Sequence, residues 1–542
     1  MSNLMPPHTT RKNAFLSDVL LFRLAAQLPS GLLAGFEDVG GFVASREGRD
    51  LSRLANCYRP RLRREWERGG FVEQLEQHPS YHALQRRSRQ VGLASSLWEE
   101  SGAENGCRYQ ARAVRLALIA GLETGHLNEI TTLSAASAVL LGEADLFHNW
   151  QNILLSRQYD FSSRPALQKK AGSLACAFTD VEEQSRPLVK AASAHKISYD
   201  DTTNRDLYRI NASKTNIIQP MADGYFVSAD VDGYLSCFLV PRFQESGAMN
   251  GMIRVEHLID RAGERSVAEG QVTFFNSHGW LLGQVGDGAR VIKDMDTMIC
   301  FDHAVISAGV LRAALQYGVD FYRESSPKYV LSSLTERIFA DIALDVAGAQ
   351  ALVMRLAKAF DKAAHDRSEA AFARIMTPII ACHINQLVVP ILGEIIAQVG
   401  DSSFMEGGLL AQMFFDAPVR LLKGRGGNDL VGEIVQMAHK APGLFQQLLE
   451  KIAADIGSAG PGTVGILKTA IQVAATDGGA GRLFVEQMAY AASAAALSHC
   501  DIESITNAYI ESRLGGQWRS SYGMLSARHN AGQILQALYP AA

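Results

Sequence analysis

GYFVSADVDGYLSCFLVPRF (Gly224–Phe243) decides how this chain is divided. Two runs of β-branched and aromatic residues flank an Asp-Gly pair, the pattern of two strands joined by a tight turn. Upstream, YRINASKTNIIQP (Tyr208–Pro220) has the same character, and downstream QVTFF (Gln271–Phe275) adds a further strand. Together these runs predict a middle β domain over residues 176–288.

On either side the period changes from two to about 3.6. Ala111–Leu122 (ARAVRLALIAGL) and Ile130–Leu141 predict helices in an N-terminal helical domain, residues 1–175. Within it, the basic segment Arg59–Arg64 reads as a solvated linker or helix face. After the β domain, Asp302–Tyr317, Thr335–Phe360, Glu369–Val399 and Leu430–Ile456 carry long apolar periodicity. They divide into a C-terminal bundle, residues 289–429, and an additional helical block, residues 430–542. Ser458–Gly465 (SAGPGTVG) reads as a flexible loop between helices. No internal repeat is present. The fold class is α+β and mainly helical, with helices and strands segregated along the chain.

The 542 residues suit three or four domains at one per ~150 residues. With 47% hydrophobic and 20% charged residues, the chain is not disordered. A net charge of −4 supplies no general basic field for nucleic acid. Seven cysteines without a Cys-x-x-Cys pair argue against a disulfide framework and for a reducing cytoplasm. The start, Met1–Lys12, lacks the apolar core of a signal peptide. Pro378–Gly400 is the most apolar long stretch, but His383, Asn385, Gln386, Glu394 and Gln398 make it a buried helix and not a membrane span.

Motifs for known chemistries are weak. In GPGTVGILKT (Gly460–Thr469) two apolar residues separate Gly465 from Lys468, so backbone amides and lysine cannot meet one phosphate as in a P-loop. KGRGGN (Lys423–Asn428) is a surface turn or, with its two cations, an anion site at a helix start. No metal site is expected: His78 and His82 are interrupted by Pro79 and read as a loop or helix cap. Cys300, Asp302 and His303 are chemically suggestive, but their spacing does not put all three on one helix face. They read as a packed cysteine beside a half-exposed histidine.

GYLSCFLVPRF, the turn Gly263–Ser266, VTFFNSHGWLLGQVGDGARVI (Val272–Ile292) and ALVMRLAKAFD (Ala351–Asp361) resemble the acyl-CoA dehydrogenase family. SRLANCYRPRLRREW (Ser52–Trp66), HPSYHAL (His78–Leu84) and the block after residue 430 resemble its AidB-type subgroup, so the resemblance spans nearly the whole chain. It implies an N-terminal helical domain, a barrel-like middle and a C-terminal bundle. It also implies an oligomer with FAD at a subunit interface. The implied chemistry is removal of an acyl α-proton by a carboxylate while the flavin accepts a β-hydride.

Carried across position by position, the family's functional motifs are eroded. Its Met-Thr-Glu flavin loop resembles Phe178-Thr179-Asp180, and its Gly-Gly-Ser-Asp resembles Glu183-Gln184-Ser185-Arg186. The Lys-Trp-Phe-Phe-Ser strand becomes Lys214-Thr215-Asn216-Ile217-Ile218, without the aromatic platform. Arg323 falls near the family's Arg-x-x-Phe-Gly, within FYRESSP (Phe321–Pro327). The Leu-Gly-Gly-x-Gly-Tyr segment becomes Val399–Phe404, with Asp401 where like charges would repel a pyrophosphate. In the loop of the catalytic base, Gly427 and Asn428 match, but the glutamate aligns with Gly424. A second family position for the base aligns with Ile299, leaving Asp302 and His303 as substitute candidates.

The resemblance therefore implies Thr179, Ser185, Arg323, Gly427 and Asn428 as the remaining contacts if FAD is bound, and no residue that replaces the base directly. The expectation is a divergent member, either a repurposed enzyme without classical acyl-CoA dehydrogenation and without need of FAD, or a non-catalytic subunit of a heteromer. The alternative is a FAD-dependent oxidoreductase of oxidase or monooxygenase type. The substrate would be a small or acyl molecule, and the assembly a homo-oligomer or a heteromer with a related subunit. Membrane association is not expected. The subgroup's link to DNA is disfavoured here: Leu430–Ala542 holds seven Lys/Arg against eight Asp/Glu, and Asp429 lies just upstream.

Overall fold

The computed structural model describes residues 13–67, 70–99, 104–182, 185, 187–325, 333–422, 427–515 and 521–540. The chain forms two compact units. One comprises Asp50–Glu100 and Glu123–Ile299, the other Met1–Arg49, Ser101–Leu122 and Cys300–Ala542.

The first unit contains every strand among the described residues. They are β1 (Arg61–Glu67), β2 (Gly70–Glu76), β3 (Leu174–Ala177), β4 (Thr179–Asp180), β5 (Ser193–Asp200), β6 (Arg205–Ile218), β7 (Gly224–Val231), β8 (Tyr234–Pro241), β9 (Met252–Leu258) and β10 (Glu269–Leu282). The Asp-Gly pair turns β7 into β8 as expected. Asp232 and Gly233 both have positive φ, 52° and 90°, the conformation a two-residue hairpin loop requires. The strands β6–β5–β7–β8–β10 are neighbours in that order, and β10 pairs again with β6, so the sheet closes on itself. β4 and β9 extend it outside the ring, and β3 pairs with β7 in parallel. Alternate residues fill the interior, among them Tyr208, Ile210, Phe238, Val240, Val272 and Phe274. Each such side chain contributes about 1.5–3 kcal/mol on burial.

Helices Pro79–Gln90, Leu127–Leu141 and Ala144–Leu154 belong to the same unit. His78 caps the first of these by accepting from the Ser80 amide, with Pro79 in the opening turn, as the sequence indicated. Two buried polar networks tie helix to barrel. Glu123 accepts hydrogen bonds from Asn56, from the amides of Gly125 and His126, and from the Ser266 hydroxyl at 2.8 Å. It also pairs with His126 Nδ1, and the opposite ring nitrogen lies 2.8 Å from Ser88 Oγ. Ser266 sits in the barrel's Gly263–Ser266 turn. In the second network Arg89 pairs with Glu129, which also accepts from Tyr81, Gln85 and Gln219.

The second unit is helical. Its long members are Ser333–Lys362 and Arg367–Val399, together with the larger part of Gly288–Ser325. Gly288–Arg323 and Arg367–Val399 are long and apolar enough to cross a membrane, yet their most apolar windows are 83% and 61% buried inside the protein. Near the C-terminus a π-helical turn, Ile510–Leu514, places Arg513 against Asp341 and Asp345, each at 2.8 Å.

Three expectations are corrected. Arg59–Arg64 is not a linker: from Arg61 it is β1, paired antiparallel with β2, and Arg64 donates to backbone carbonyls of Val255 and Glu256 on β9. Leu430–Ile456 is two helices, Gly427–Lys440 and Pro442–Ile456, because proline opens the second at its first turn. Ser458–Gly465 is not a flexible loop. A short 3-10 turn leads into helix Gly460–Thr476, whose opening turn holds Pro461, where a missing amide costs nothing.

Candidate functional site

A cavity of about 800 Å³ lies over the adjacent strands β4, β6, β10 and β9. A β-bulge builds its floor. Ile217 faces Gly270 and Lys214 faces Val272, so Thr215 and Asn216 together oppose the single residue Gln271. The extra residue is accommodated by Asn216 in the left-handed region, φ 58°, which asparagine tolerates better than most side chains. Bulges re-aim side chains, and here Thr215, Asn216 and Gln271 all line the cavity.

Thr179 and Ser185, two of the residues implied by the resemblance, line the same cavity. Thr179 pairs with Thr215 across β4 and β6. Next to it, Asp180 makes a 2.8 Å ion pair with Lys214. The lysine is buried, and that burial pushes its pKa down against the opposing pull of Asp180. Its Nζ also donates to Ser228 at 2.9 Å, which fixes β4 to the barrel interior. Two further carboxylates, Glu182 and Glu256, line the cavity; Glu256 is paired with Arg254 at 2.6 Å. No aromatic ring other than that of His257 is among the lining residues. Glu183, Gln184 and Arg186 lie outside the described residues.

The other site candidates belong to the helical unit. Asp302 is 1% exposed and forms a two-pronged ion pair with Arg112, its Oδ2 accepting at 2.7 Å. A carboxylate held in this way already has its oxygens occupied by a fixed cation. His303, expected to be half-exposed, is 6% exposed, and Cys300 is half-buried. The reason is that helix Gly288–Ser325 buries most of its circumference over this stretch, so no solvent-facing side remains. Around it, Tyr109, Phe301 and Phe360 pack ring on ring at 5.1–5.9 Å between centroids. Asp361 accepts the amides of Tyr109 and Gln110 at the start of helix Arg108–Ala120, and burial pushes its pKa up to about 6.

Arg323 lies half-buried near the end of helix Gly288–Ser325. Gly427 and Asn428 open helix Gly427–Lys440, where Asn428 Oδ1 accepts from Arg482 Nε and Nη2 at 3.0 and 2.7 Å. Lys423, Gly424, Arg425 and Gly426, and with them most of the Gly-rich turn and the position aligned with the base, lie outside the described residues. Arg112 is the partner of Asp302 across 190 positions of sequence, beyond any local motif. The available signal was two arginines, Arg112 and Arg115, inside an otherwise apolar helix, where a buried cation requires a counter-charge.

Residues 4–161 match the family model of the adaptive response protein AidB N-terminal domain, and residues 286–438 match that of the acyl-CoA dehydrogenase C-terminal domain. The putative acyl-CoA dehydrogenase AidB of Escherichia coli (strain K12) is 30% identical over 450 residues, covering 82% of this chain and 81% of that protein. The chain belongs to the acyl-CoA dehydrogenase family, AidB type. Solved acyl-CoA dehydrogenase folds agree. Caenorhabditis elegans ACDH-11 in complex with C11-CoA superimposes with a TM-score of 0.78 at 19% identity, over 95% of this chain and 92% of that one. An acyl-CoA dehydrogenase of Bacillus anthracis complexed with FAD gives 0.63 at 14% identity, over 94% and 85%. Helices flanking a β middle domain are thus the acyl-CoA dehydrogenase architecture, as the order of the sequence motifs implied.

Proposed function

We propose that this chain is a divergent acyl-CoA dehydrogenase-family protein that does not perform classical acyl-CoA dehydrogenation. The observation that carries this reading is the state of Asp302. Asp302, one of the two substitute candidates near the family's second base position, is buried and bound to Arg112, while the usual glutamate position is Gly424. A general base must reach the proton it removes and release its own hydrogen bonds to do so. Asp302 meets neither requirement.

The cavity over the barrel supports the same conclusion about FAD. Thr179, Ser185, Thr215 and Asn216 offer hydrogen bonds to a ring edge, but the wall presents Asp180, Glu182 and Glu256 and no large flat ring. These residues do not fit an isoalloxazine stacked on the strand. The protein is therefore read as a repurposed enzyme or as the non-catalytic subunit of a heteromer. Phe404 and Phe415 stack at 5.6 Å between centroids and are both exposed, with Leu422 exposed on the same helix as Phe415, which supports an oligomer. The seven cysteines, with no Cys-x-x-Cys pair, support the cytoplasm as its compartment.

A second reading has its own support. Thr179 and Ser185 survive and face one cavity with Thr215 and Asn216, and a FAD-dependent oxidoreductase of oxidase or monooxygenase type needs no carboxylate base, because the oxygen chemistry belongs to the flavin. The test is the absorption spectrum of gently purified full-length protein, before and after excess FAD and desalting, followed by dye reduction with short, medium and long acyl-CoAs. The proposal expects no near-stoichiometric flavin and no acyl-CoA-dependent reduction. Retained flavin without acyl-CoA turnover selects the second reading. Retained flavin with turnover overturns both.

A further inference from the structure

The barrel unit holds another cavity, of about 580 Å³, that shares no residue with the first. This volume lies in the range of small-molecule sites. Its walls are the middle of helix Ala144–Leu154, the turn Pro165–Gln168, the β5–β6 hairpin, β10 at His278 and Trp280, and the arm between β8 and β9. Asn250 holds this arm to β10. Its Nδ2 donates to the carbonyls of Pro241 and His278, each at 2.7 Å, and its Oδ1 accepts the His278 amide. Across the mouth, Gln168 donates to the Glu245 carbonyl at 3.3 Å. The cleft is thus built from bonded segments and is not a gap between loose loops.

Its chemistry is one-sided. Trp280 and the nearly buried Trp150 supply aromatic surface, the Phe243 ring already carries the Arg242 guanidinium 5.0 Å from its centroid, and Asp200 and Glu245 supply carboxylates. No lysine or arginine is among the lining residues. Asp200 accepts from Trp280 Nε1 at 2.7 Å, from Thr203 and from the Thr202 amide, all neutral donors, so its charge has no cationic partner among the described residues. The bond from Trp280 fixes that indole in the wall. Glu245 is exposed at the mouth and likewise makes no ion pair among the described residues. Aromatic faces attract cations within about 6 Å of the ring centroid, and unneutralised carboxylates add to that attraction. The same wall repels anions and leaves a neutral aromatic molecule without a charge partner.

We propose that this cleft is a binding site for an organic monocation with an apolar or aromatic body, a protonated or quaternary amine. The site is independent of the reading given to the first cavity. The test uses the full chain and benzyltrimethylammonium as probe, followed by tryptophan fluorescence and calorimetry, with benzyl alcohol and benzoate as neutral and anionic controls. Saturable binding of the cation is expected, with both controls at least roughly tenfold weaker. Glu245→Gln, at an exposed position that leaves the fold intact, lowers cation affinity several-fold and leaves benzyl alcohol unaffected. Asp200→Asn, which keeps an acceptor for Trp280, lowers it further. Equal affinity for the three probes, no saturation by the cation, or unchanged cation affinity in the Glu245→Gln and Asp200→Asn variants overturns the proposal.

Discussion

At residue scale, three side chains carry charge or conformation that a substitution can expose. Asn216 occupies left-handed backbone at the bulge under the first cavity. Asn216→Gly is expected to be tolerated, whereas Asn216→Val, β-branched at positive φ, costs about 1–3 kcal/mol. Urea denaturation of the two variants separates conformational strain from loss of the amide. Asp302→Ala removes the buried partner of Arg112 and is expected to cost about 3–5 kcal/mol, read as a lowered urea midpoint with an unchanged slope. Were Asp302 instead a free base, the substitution would leave stability nearly unchanged. Asp361 shows the opposite sign. Its raised folded pKa, about 6, means the folded protein holds a proton there that the unfolded chain releases near 4. Its contribution is therefore favourable at low pH and lost as pH rises through 6. Asp361→Asn, which still accepts an amide at the helix start, is expected to raise the melting temperature at pH 8 relative to wild type, with the advantage gone at pH 4.

At the scale of elements, helix Arg108–Ala120 and the helix containing Gly309 approach so closely that only small residues fit. A Cβ on Gly309 would lie 2.3 Å from the Ala117 carbonyl oxygen, and one on Gly121 would lie 2.7 Å from the Ala313 methyl. Gly309→Ala is expected to cost about 1–3 kcal/mol through overpacking, measurable as a fall in thermal midpoint that Val310→Ala, a cavity-forming change on the same helix, does not mimic in its crystal packing distances. Elements of this kind were legible from sequence because their period is regular. The Asp-Gly hairpin, the helix Arg367–Val399 and the order of helical and β segments all follow from local pattern. β1 was not legible. RLRREWE (Arg61–Glu67) forms a two-stranded ribbon with charged residues on both faces, so it lacks the alternation that marks a half-buried strand. The opening of helix Gly460–Thr476 was hidden by its Gly-Pro-Gly start. In the candidate site, Thr179 and Ser185 were found through the family resemblance. The joint exposure of Thr215 and Asn216 depends on a cross-strand register slip, and the Asp302–Arg112 pair joins residues 190 positions apart. Neither relation is written in a local window.

At the scale of the whole molecule, acid stability is expected to depend on Glu123. Burial pushes its pKa up, but the hydrogen bonds and charge of His126, with the Ser266 hydroxyl, outweigh this and bring it down to about 2. A carboxylate depressed on folding stabilises at pH above its unfolded value near 4.5, and loses that contribution as pH falls toward 2. The term is on the order of 3 kcal/mol. Glu123→Gln should flatten the stability profile between pH 5 and 2 in circular-dichroism melts; a profile as steep as wild type would assign the acid transition to other groups. The division of the chain has a consequence for its synthesis. The helical unit is assembled from Met1–Arg49, Ser101–Leu122 and everything from Cys300 onward, with the barrel unit's segments interleaved between them. On the ribosome, helix Arg108–Ala120 emerges able to pack on Leu33–Ala44, but Ser333–Lys362, which also packs on it, is not yet translated. At 5–20 residues per second the wait is roughly ten to forty seconds. The barrel, complete once Leu282 has left the exit tunnel, can form during that interval, while the early helices stand as a temporary client for chaperones. Nascent chains stalled once Leu282 has just left the tunnel should carry a bound ribosome-associated chaperone, and chains stalled once Lys362 has left it should have released it.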